Sequence, residues 1–243
     1  MSAAHFIDGA ADLLILCDHA SNAVPEGIDL GIESALLDKH IAIDIGAGAV
    51  SEGLAAHLRA PALLATVSRL VIDLNREPDS AGLIPHISDG HAIHGNDGAD
   101  RAERIARFHG PYHRAIAGTI RARRPKLLVS VHSFTPRLEQ HHGPERPWEI
   151  GILYNRDARA ARIGIALLEG AGVVTGDNEP YSGRLLNATM NRHAEANGIP
   201  YLGIEIRNDL ISDAAGVAHW AQLLAGIVKD ARNRLAQTGF PAT

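Results

Sequence analysis

Short apolar runs recur along this 243-residue chain, and longer amphipathic segments lie between them. Runs of about four to eight apolar residues that end at polar or turn-forming residues are typical of buried β-strands. Because such strands alternate here with helical segments, the pattern predicts an α/β fold of three layers, with a mostly parallel or mixed sheet and helices on both faces. The predicted strands are Leu13–Asp18, Ala62–Val67, Leu70–Leu74, Lys126–Val131, Glu149–Tyr154 and Tyr201–Ile206.

The longest predicted helix covers Asp100–Arg123, where apolar residues recur at steps of three or four and form one stripe. Pro111 should kink this helix or divide it in two, because proline has no backbone N–H to donate. The chain has no internal repeat, low-complexity tract or convincing linker, so we predict a single domain over residues 1–243. The other predicted helices are Arg159–Glu169, Arg184–Ala196 and a C-terminal helix marked by apolar residues from Val217 to Leu235.

Composition excludes several classes of function. Hydrophobic residues make up 46% of the chain, which suffices for a sizeable core, and the net charge of -5 argues against a nucleic-acid partner, which would need a basic surface. Cys17 has no second cysteine to pair with, and a lone thiol fits a reducing cytoplasm. The first residues lack the features of a signal peptide, and no run of about 18 apolar residues could cross a membrane. We therefore expect a cytoplasmic protein.

Polar residues stand at the ends of three predicted strands. His19 follows the first strand, His132 the fourth, and Glu205 lies near the end of the last. In open α/β sheets, ligands bind beyond the carboxyl ends of the strands. A catalytic zinc takes three protein ligands, commonly histidine and carboxylate, and keeps a position for water, whose proton a nearby carboxylate can accept. The alternative for each histidine alone is a hydrogen-bonded structural role, but their joint placement predicts a metal site with Glu205 as general base.

Five segments carry a further signal: DHASNAVP (Asp18–Pro25), SRLVIDLNR (Ser68–Arg76), SVHSF (Ser130–Phe134), NEPYSG (Asn178–Gly183) and GIEIRNDL (Gly203–Leu210). Together they resemble the N-formylglutamate amidohydrolase family, over about residues 12–230. The resemblance implies a fold like that of zinc carboxypeptidases and aspartoacylases, with His19 and His132 as zinc ligands and Glu205 as the base. It also implies hydrolysis of N-formyl-L-glutamate, or of a similar small anionic N-acyl amino acid, to formate and glutamate, the last step of one route of histidine degradation.

The sequence departs from the peptidase pattern at the third metal ligand. Asn22 stands three residues after His19, where the zinc peptidases have glutamate, and an amide oxygen is a poor zinc ligand beside a carboxylate. Asp44 is our candidate, because a carboxylate within an apolar run is costly to bury unless it is paired or metal-bound. Its alternative role is to cap the following helix. Zinc is the expected ion, although manganese, cobalt or iron would suit the same ligands.

A dianionic substrate needs cationic side chains, and arginine binds a carboxylate through two parallel hydrogen bonds. Arg69, Arg76 and Arg207 all lie near the predicted site in the sequence. The pair Asn75-Arg76 resembles the carboxypeptidase pair that holds the terminal carboxylate of the substrate. Each arginine has a structural alternative, which for Arg207 is pairing with Asp209 or Glu205. Tyr181 either donates a hydrogen bond to the substrate or packs a turn.

The remaining histidines give weaker signals. His109 and His113 are four residues apart on the long helix, a spacing that can bind a metal or simply form a polar stripe. Others fall in two long loops, at about residues 79–99 and at Thr135–Pro147, which includes His141 and His142. Loops of this length are often lids or binding loops, and solvent-exposed positions are expected for these histidines.

Two functions of other classes compete with hydrolysis. The turn Gly46-Ala47-Gly48, between a possible strand and a helix, suggests an NAD-binding oxidoreductase, but the third small residue of a dinucleotide fingerprint is replaced by Ser51. The second is a non-catalytic anion-binding protein on the same scaffold. The presence of Glu205 argues against it, because a pure anion binder gains nothing from a carboxylate in its pocket.

Overall fold

The apolar run Leu13–Cys17 has every side chain buried and forms a central strand of the sheet. This computed structural model describes residues 2–140 and 145–237, so His141 and His142 lie outside the described residues. The strands are β1 (Ala4–Ile7), β2 (Leu13–Cys17), β3 (Ala62–Ala65), β4 (Ile87–Ser88), β5 (His91–Ala92), β6 (Leu127–Phe134), β7 (Ile150–Leu153), β8 (Thr175–Asp177) and β9 (Tyr201–Arg207). The helices are α1 (Ala47–Leu58), α2 (Arg101–Arg104), α3 (Gly110–Arg123), α4 (Arg159–Gly170), α5 (Ala188–His193) and α6 (Ala214–Gln237).

Seven strands form one mixed sheet in the order β1-β3-β2-β6-β9-β7-β8. The central strands β3, β2, β6 and β9 run parallel to one another, whereas β1 is antiparallel to β3 and β7 is antiparallel to β9. Helix α6 packs on α1 and α4, which contact the strands and complete one helical layer, while α3 contacts β1, β3 and α5 on the other side. The predicted three-layer α/β fold is therefore confirmed. Within the described residues, no helix combines the length and apolarity that crossing a membrane requires.

The predicted strand Leu70–Leu74 is wrong. This segment is a buried turn, in which the N–H of Val71 donates to the carbonyl of Ser68. Its carbonyls are satisfied by side chains instead of a neighbouring strand, since Asn96 Nδ2 donates to Leu70 O at 2.9 Å and Arg104 Nη1 donates to Val71 O at 2.7 Å. A buried apolar run is thus ambiguous, because burial alone does not say where its backbone hydrogen bonds go.

The long helix continues through Pro111 with a change in its winding. Residues Ile105–His109 form a π-helical turn between α2 and α3, in which the N–H of Gly110 donates to the carbonyl of Ile105. Pro111 then occupies the first turn of α3, where a missing N–H costs little. His109 at the end of this turn and His113 in α3 both donate hydrogen bonds to carbonyls of the loop that follows β3.

Other elements differ from the expectation in extent. The predicted helix at Arg184–Ala196 is reduced to α5 and a single 3-10 turn at Glu195–Asn197. The edge strands β1 and β8 were not predicted, because each is short and only partly buried. The loop at residues 79–99 contains the hairpin of β4 and β5.

Candidate active site

The parallel strands bring the predicted catalytic residues to one edge of the sheet. His132 on β6 lies directly opposite Glu205 on β9, and His19 comes two residues after the end of β2. These side chains line a cavity of about 280 Å³. Its other lining residues include Asp44, Arg69, Asp73, Asn75, Arg76, Asp89, Ser133 and Tyr181.

Three donors converge at the floor of this cavity. Nδ1 of His19 lies 3.2 Å from Asp44 Oδ2, and Nδ1 of His132 lies 2.8 Å from the same oxygen. Each of the three residues offers a ligand atom, and these atoms lie within 4.8 Å of one another. Two imidazole nitrogens and one carboxylate oxygen form a donor set that is typical of catalytic zinc.

Asp44 lies in the loop before α1 and turns its carboxylate away from that helix. The residue at the N-terminus of α1 is Gly46, where no side chain accepts a hydrogen bond. Oδ1 of Asp44 instead accepts from Arg69 Nη1 at 2.9 Å, and its Oδ2 faces the two histidines. Asn22 is directed elsewhere, since its Nδ2 donates to Asp38 Oδ1 at 3.1 Å.

A second carboxylate stands behind each histidine. Nε2 of His19 lies 2.8 Å from Asp73 Oδ1, and Nε2 of His132 lies 3.4 Å from Asp18 Oδ2. Tyr112 fixes the other oxygen of Asp18 by donating a hydrogen bond of 2.7 Å. Histidines that bind metals commonly direct their remaining nitrogen to a carboxylate, which sets the tautomer and the orientation of the ring. Sequence reasoning missed this role of Asp18, although its position beside His19 at a strand end was visible.

The buried carboxylates attract positive charge to the site. Burial opposes their charge, yet His19 and Arg69 hold the pKa of Asp73 far below its usual range. Burial and Arg69 favour neutral His19, but Asp73 and Asp44 outweigh them and raise its pKa. Burial likewise opposes charge on His132, but Asp18 and Asp44 raise the pKa of this imidazole well above its usual value. The field thus favours positive charge at the position where the three donors converge.

Glu205 stands apart from these ion pairs. The residue is 8% exposed, and its Oε2 has no hydrogen-bond partner among the residues that the structure describes. Burial is the main reason that the pKa of Glu205 is raised to about 7, with Asp44 adding to the rise and His132 opposing it. A carboxylate without a fixed partner and with a pKa near neutrality is suited to accept and return a proton.

The three arginines that were predicted to bind the substrate differ in their contacts. Arg69 joins two carboxylates, since its Nη1 binds Asp44 and its Nη2 binds Asp73, both at 2.9 Å. Arg76 also lines the cavity, and its nearest carboxylate contact is longer, with Nε 3.9 Å from Asp73 Oδ2. Arg207 does not line the cavity, and its Nε donates to Asp209 at 2.8 Å, which was the structural alternative for this residue.

Tyr181 has an unpredicted partner. Nη1 of Arg146 donates to the Tyr181 hydroxyl oxygen at 3.0 Å and also to the carbonyl of Thr135, and the guanidinium lies over the tyrosine ring. A guanidinium cannot accept a hydrogen bond, so the hydroxyl hydrogen of Tyr181 remains available to an acceptor in the cavity. Arg146 had no sequence signal, because it lies in the loop before β7 and not at the carboxyl end of a strand.

One wall of the cavity is formed by the hairpin of β4 and β5. Asp89 at its turn accepts a hydrogen bond from the backbone N–H of Glu139 at 2.7 Å and pairs with His40 Nε2 at 3.0 Å. The carboxylate of Glu139 in turn binds Lys39 and His91, each at 2.9 Å. The two long loops of the sequence therefore meet at this wall, and His40, Asp89 and His91 have structural partners there.

The glycine turn that suggested NAD binding is closely packed. A Cβ added at Gly46 would lie 2.2 Å from the carbonyl oxygen of Ile211, and one added at Gly48 would lie 3.1 Å from that of Ala20. These glycines allow α1 to approach its neighbours. Close packing therefore accounts for them without a bound dinucleotide.

Comparison with known proteins points to one family. A sequence model of the N-formylglutamate amidohydrolase family matches residues 11–212. The crystal structure of gene product Atu2144 from Agrobacterium tumefaciens is 33% identical, with 97% of each chain covered and a TM-score of 0.91. An N-formylglutamate amidohydrolase from Ralstonia eutropha JMP134 shares the fold at 17% identity and a TM-score of 0.70, over 98% of this chain and 100% of that chain. No curated protein sequence matches this chain.

Proposed function

Because this chain belongs to the N-formylglutamate amidohydrolase family, a family of hydrolases, we propose that it is a metal-dependent amidohydrolase. Its substrate is N-formyl-L-glutamate or a similar small anionic N-acyl amino acid, which it cleaves at the amide bond. The observation that carries the proposal is the convergence of His19 Nδ1, His132 Nδ1 and Asp44 Oδ2 beside Glu205 in one cavity.

The donor set fits a divalent cation for two physical reasons. Asp18, Asp44, Asp73 and Glu205 are all buried around the histidines. Among the described residues, Arg69 pairs with Asp44 and Asp73 at 2.9 Å, whereas Arg76 approaches Asp73 only to 3.9 Å. A cation at the convergence of the three donors offsets this charge and satisfies the donors at once. His19, Asp44 and His132 would hold the ion, and zinc is our choice because of this donor set.

A bound divalent ion in such a site polarises the amide carbonyl and makes water more acidic. Glu205 accepts a proton from the water that adds to the formyl carbon, and it returns this proton to the amide nitrogen as the C–N bond breaks. The products are formate and the free amino acid. Glu205 serves both steps, because the pairing of β9 with β6 holds it next to His132, a proposed metal ligand. From there the same carboxylate acts first as base and then as acid.

The substrate carboxylates require donors on the other side of the cavity. Arg76 and Asn75 supply a guanidinium and an amide next to each other in sequence, and both line the cavity. Tyr181 offers its hydroxyl hydrogen, which Arg146 leaves free for the substrate. We assign the carboxylate of the amino acid to Arg76 and Asn75, since Arg69 is already held by two aspartates.

The test is a hydrolysis screen of N-formyl, N-acetyl and N-succinyl amino acids with the metal-loaded protein and with protein stripped by a chelator. We expect metal-dependent release of the amino acid, fastest for acidic N-formyl substrates. Elemental analysis of His132→Ala should show that most of the metal is lost. Equal hydrolysis with and without metal would contradict the proposed chemistry, and a loaded protein that hydrolyses none of these amides would contradict the function.

A further inference from the structure

The segment that follows the buried turn at residues 69–71 carries Asp73, Asn75 and Arg76 into the cavity, but it is neither helix nor strand. Its backbone cannot rely on a ladder of hydrogen bonds for its position. Two of its carbonyl oxygens instead accept hydrogen bonds from histidine side chains, with His113 Nε2 at 3.0 Å from Leu74 O and His109 Nε2 at 3.0 Å from Arg76 O. These two carbonyls flank Asn75 on both sides.

The two histidines belong to a buried group that we call the imidazole cluster, which consists of His109, His113 and His193. Nδ1 of His113 lies 2.9 Å from Nε2 of His193, and the two rings are stacked with centroids 5.1 Å apart. The rings of His109 and His113 lie 4.2 Å apart. The cluster therefore connects α5 to the end of the π-helical turn and the start of α3, beneath the segment that carries Asn75 and Arg76.

The hydrogen-bonding partners fix the tautomers. A carbonyl oxygen only accepts, so Nε2 of His109 and Nε2 of His113 must both carry hydrogen. Burial lowers the pKa of all three imidazoles, to about 3 for His113 and about 4 for His193, so the cluster is neutral. Nδ1 of neutral His113 is then an acceptor, and His193 donates to it. The result is a directed chain of hydrogen bonds that ends on the carbonyl of Leu74.

The neighbouring helix holds the side chain of Asn75 in the same way. The backbone N–H of Thr189 on α5 donates to Asn75 Oδ1 at 3.0 Å, which leaves the amide nitrogen of Asn75 free to donate. Thr189 binds the segment directly, and His193, one helical turn further along α5, reaches it through His113. Nε2 of His109 and Nε2 of His113 face carbonyl oxygens, and Nδ1 of His113 faces His193, so these nitrogens are engaged in hydrogen bonds and are not directed at a common ion.

We propose that the imidazole cluster is a positioning device for substrate binding, in which His109 and His113 hold the backbone on either side of Asn75 so that Asn75 and Arg76 present their donors to a substrate carboxylate. The inference rests on the proposed function for the identity of the carboxylate. It assigns a role to buried histidines that contact neither the substrate nor the proposed metal.

The test compares His109→Leu with His109→Gln, because glutamine can keep a donor near the position of Nε2 and leucine cannot. His57→Leu, at an exposed histidine on α1, is the control. Glutarate is the probe, since it is a dianion without an amide to hydrolyse, and glutaramide is its neutral counterpart. Amide hydrogen exchange of residues 73–80 reports the order of the segment, and calorimetry with metal-loaded protein reports the affinity of each probe.

In His109→Leu we expect faster exchange at residues 73–80 and an affinity for glutarate that falls about tenfold, the size of effect that loss of one hydrogen bond produces. His109→Gln should stay within about threefold of the wild-type affinity, and metal content should be unchanged in all variants. An unchanged exchange rate and glutarate affinity in His109→Leu, an equal loss for glutaramide, or a wild-type protein that binds no glutarate would each overturn the proposal. If the protein binds glutarate but hydrolyses no amide, the proposed function is wrong. The comparison of His109→Leu with His109→Gln then still decides the role of the imidazole cluster.

Discussion

The imidazole cluster should make the protein sensitive to acid, and the size of the effect can be worked out for one residue. His113 is 6% exposed, and burial lowers its pKa from the usual 6.5 to about 3 in the folded protein. In the unfolded chain the same imidazole takes up a proton below about pH 6.5. The unfolded state therefore binds more protons between these two values, and the free energy of unfolding falls as the pH falls through that range.

The substitution His113→Gln isolates the contribution of His113 to the pH dependence of stability. It removes the titrating ring and keeps a neutral side chain that can donate and accept hydrogen bonds. At about pH 5 the folded imidazole is still neutral while the unfolded one is charged, and each pH unit below 6.5 is worth about 1.4 kcal/mol. His113 therefore costs the wild-type protein about 2 kcal/mol at pH 5 relative to pH 8. We expect the loss of stability between these pH values to be smaller in the variant by that amount.

Urea denaturation of metal-free protein at about pH 8 and at about pH 5 measures the loss of stability on acidification in the wild type and in His113→Gln. Each variant is compared with itself, so the intrinsic cost of the substitution cancels, and a chelator removes any contribution from metal binding. His57→Gln, at an exposed position, controls for the loss of one histidine. If wild type and His113→Gln lose the same stability on acidification, the imidazole is protonated in the folded state and the neutral cluster is wrong.

Four further predictions concern the proposed site. Glu205→Gln should lower kcat by about 10²–10⁴-fold, the usual contribution of general acid–base catalysis, and should keep its metal, so loss of metal would make Glu205 a ligand. Asp44→Asn should bind metal much more weakly in a metal titration, whereas Asn22→Ala should bind it normally. Asp18→Asn should weaken metal binding by about 10–100-fold in the same titration, because His132 loses the carboxylate that orients it. Arg76→Ala should cost about 1.5–3 kcal/mol of kcat/KM for acidic substrates and less for neutral ones, and equal losses would make Arg76 structural.

Much of the fold was predictable because most strands of the central sheet are buried on both faces. The continuous apolar runs at β2, β6 and β9 have few alternatives in a chain of this composition. The same signal failed at Leu70–Leu74, where the side chains are equally buried but Asn96 and Arg104 supply the hydrogen bonds that a strand would have given. Those two partners lie over 20 residues away, so no local pattern could have indicated them.

The candidate site was predictable where function is tied to strand ends. His19, His132 and Glu205 lie together because parallel strands end at one edge of the sheet, which topology alone implies. The loop residues depended on tertiary packing instead. Arg146 reaches Tyr181 across 35 positions of the sequence, and Asp89 is held by the backbone of a loop about 50 residues further on. Contacts of this kind leave no periodic signal.

The two arginines of the cavity wall cannot be interpreted in the same way, although both are natural choices for binding an anion. Arg69 pairs with Asp44, a proposed metal ligand, and with Asp73, which contacts His19 behind the metal position. Its removal would leave two buried carboxylates without their cation, a change that typically costs about 3–5 kcal/mol in buried ion pairs. Metal affinity and folding would then change together with substrate binding, and no loss of activity could be assigned to the substrate. Arg76 makes no such short contact with a carboxylate of residues 2–140 or 145–237, its approach to Asp73 being 3.9 Å. It is therefore the residue at which charge specificity can be measured separately from the integrity of the site.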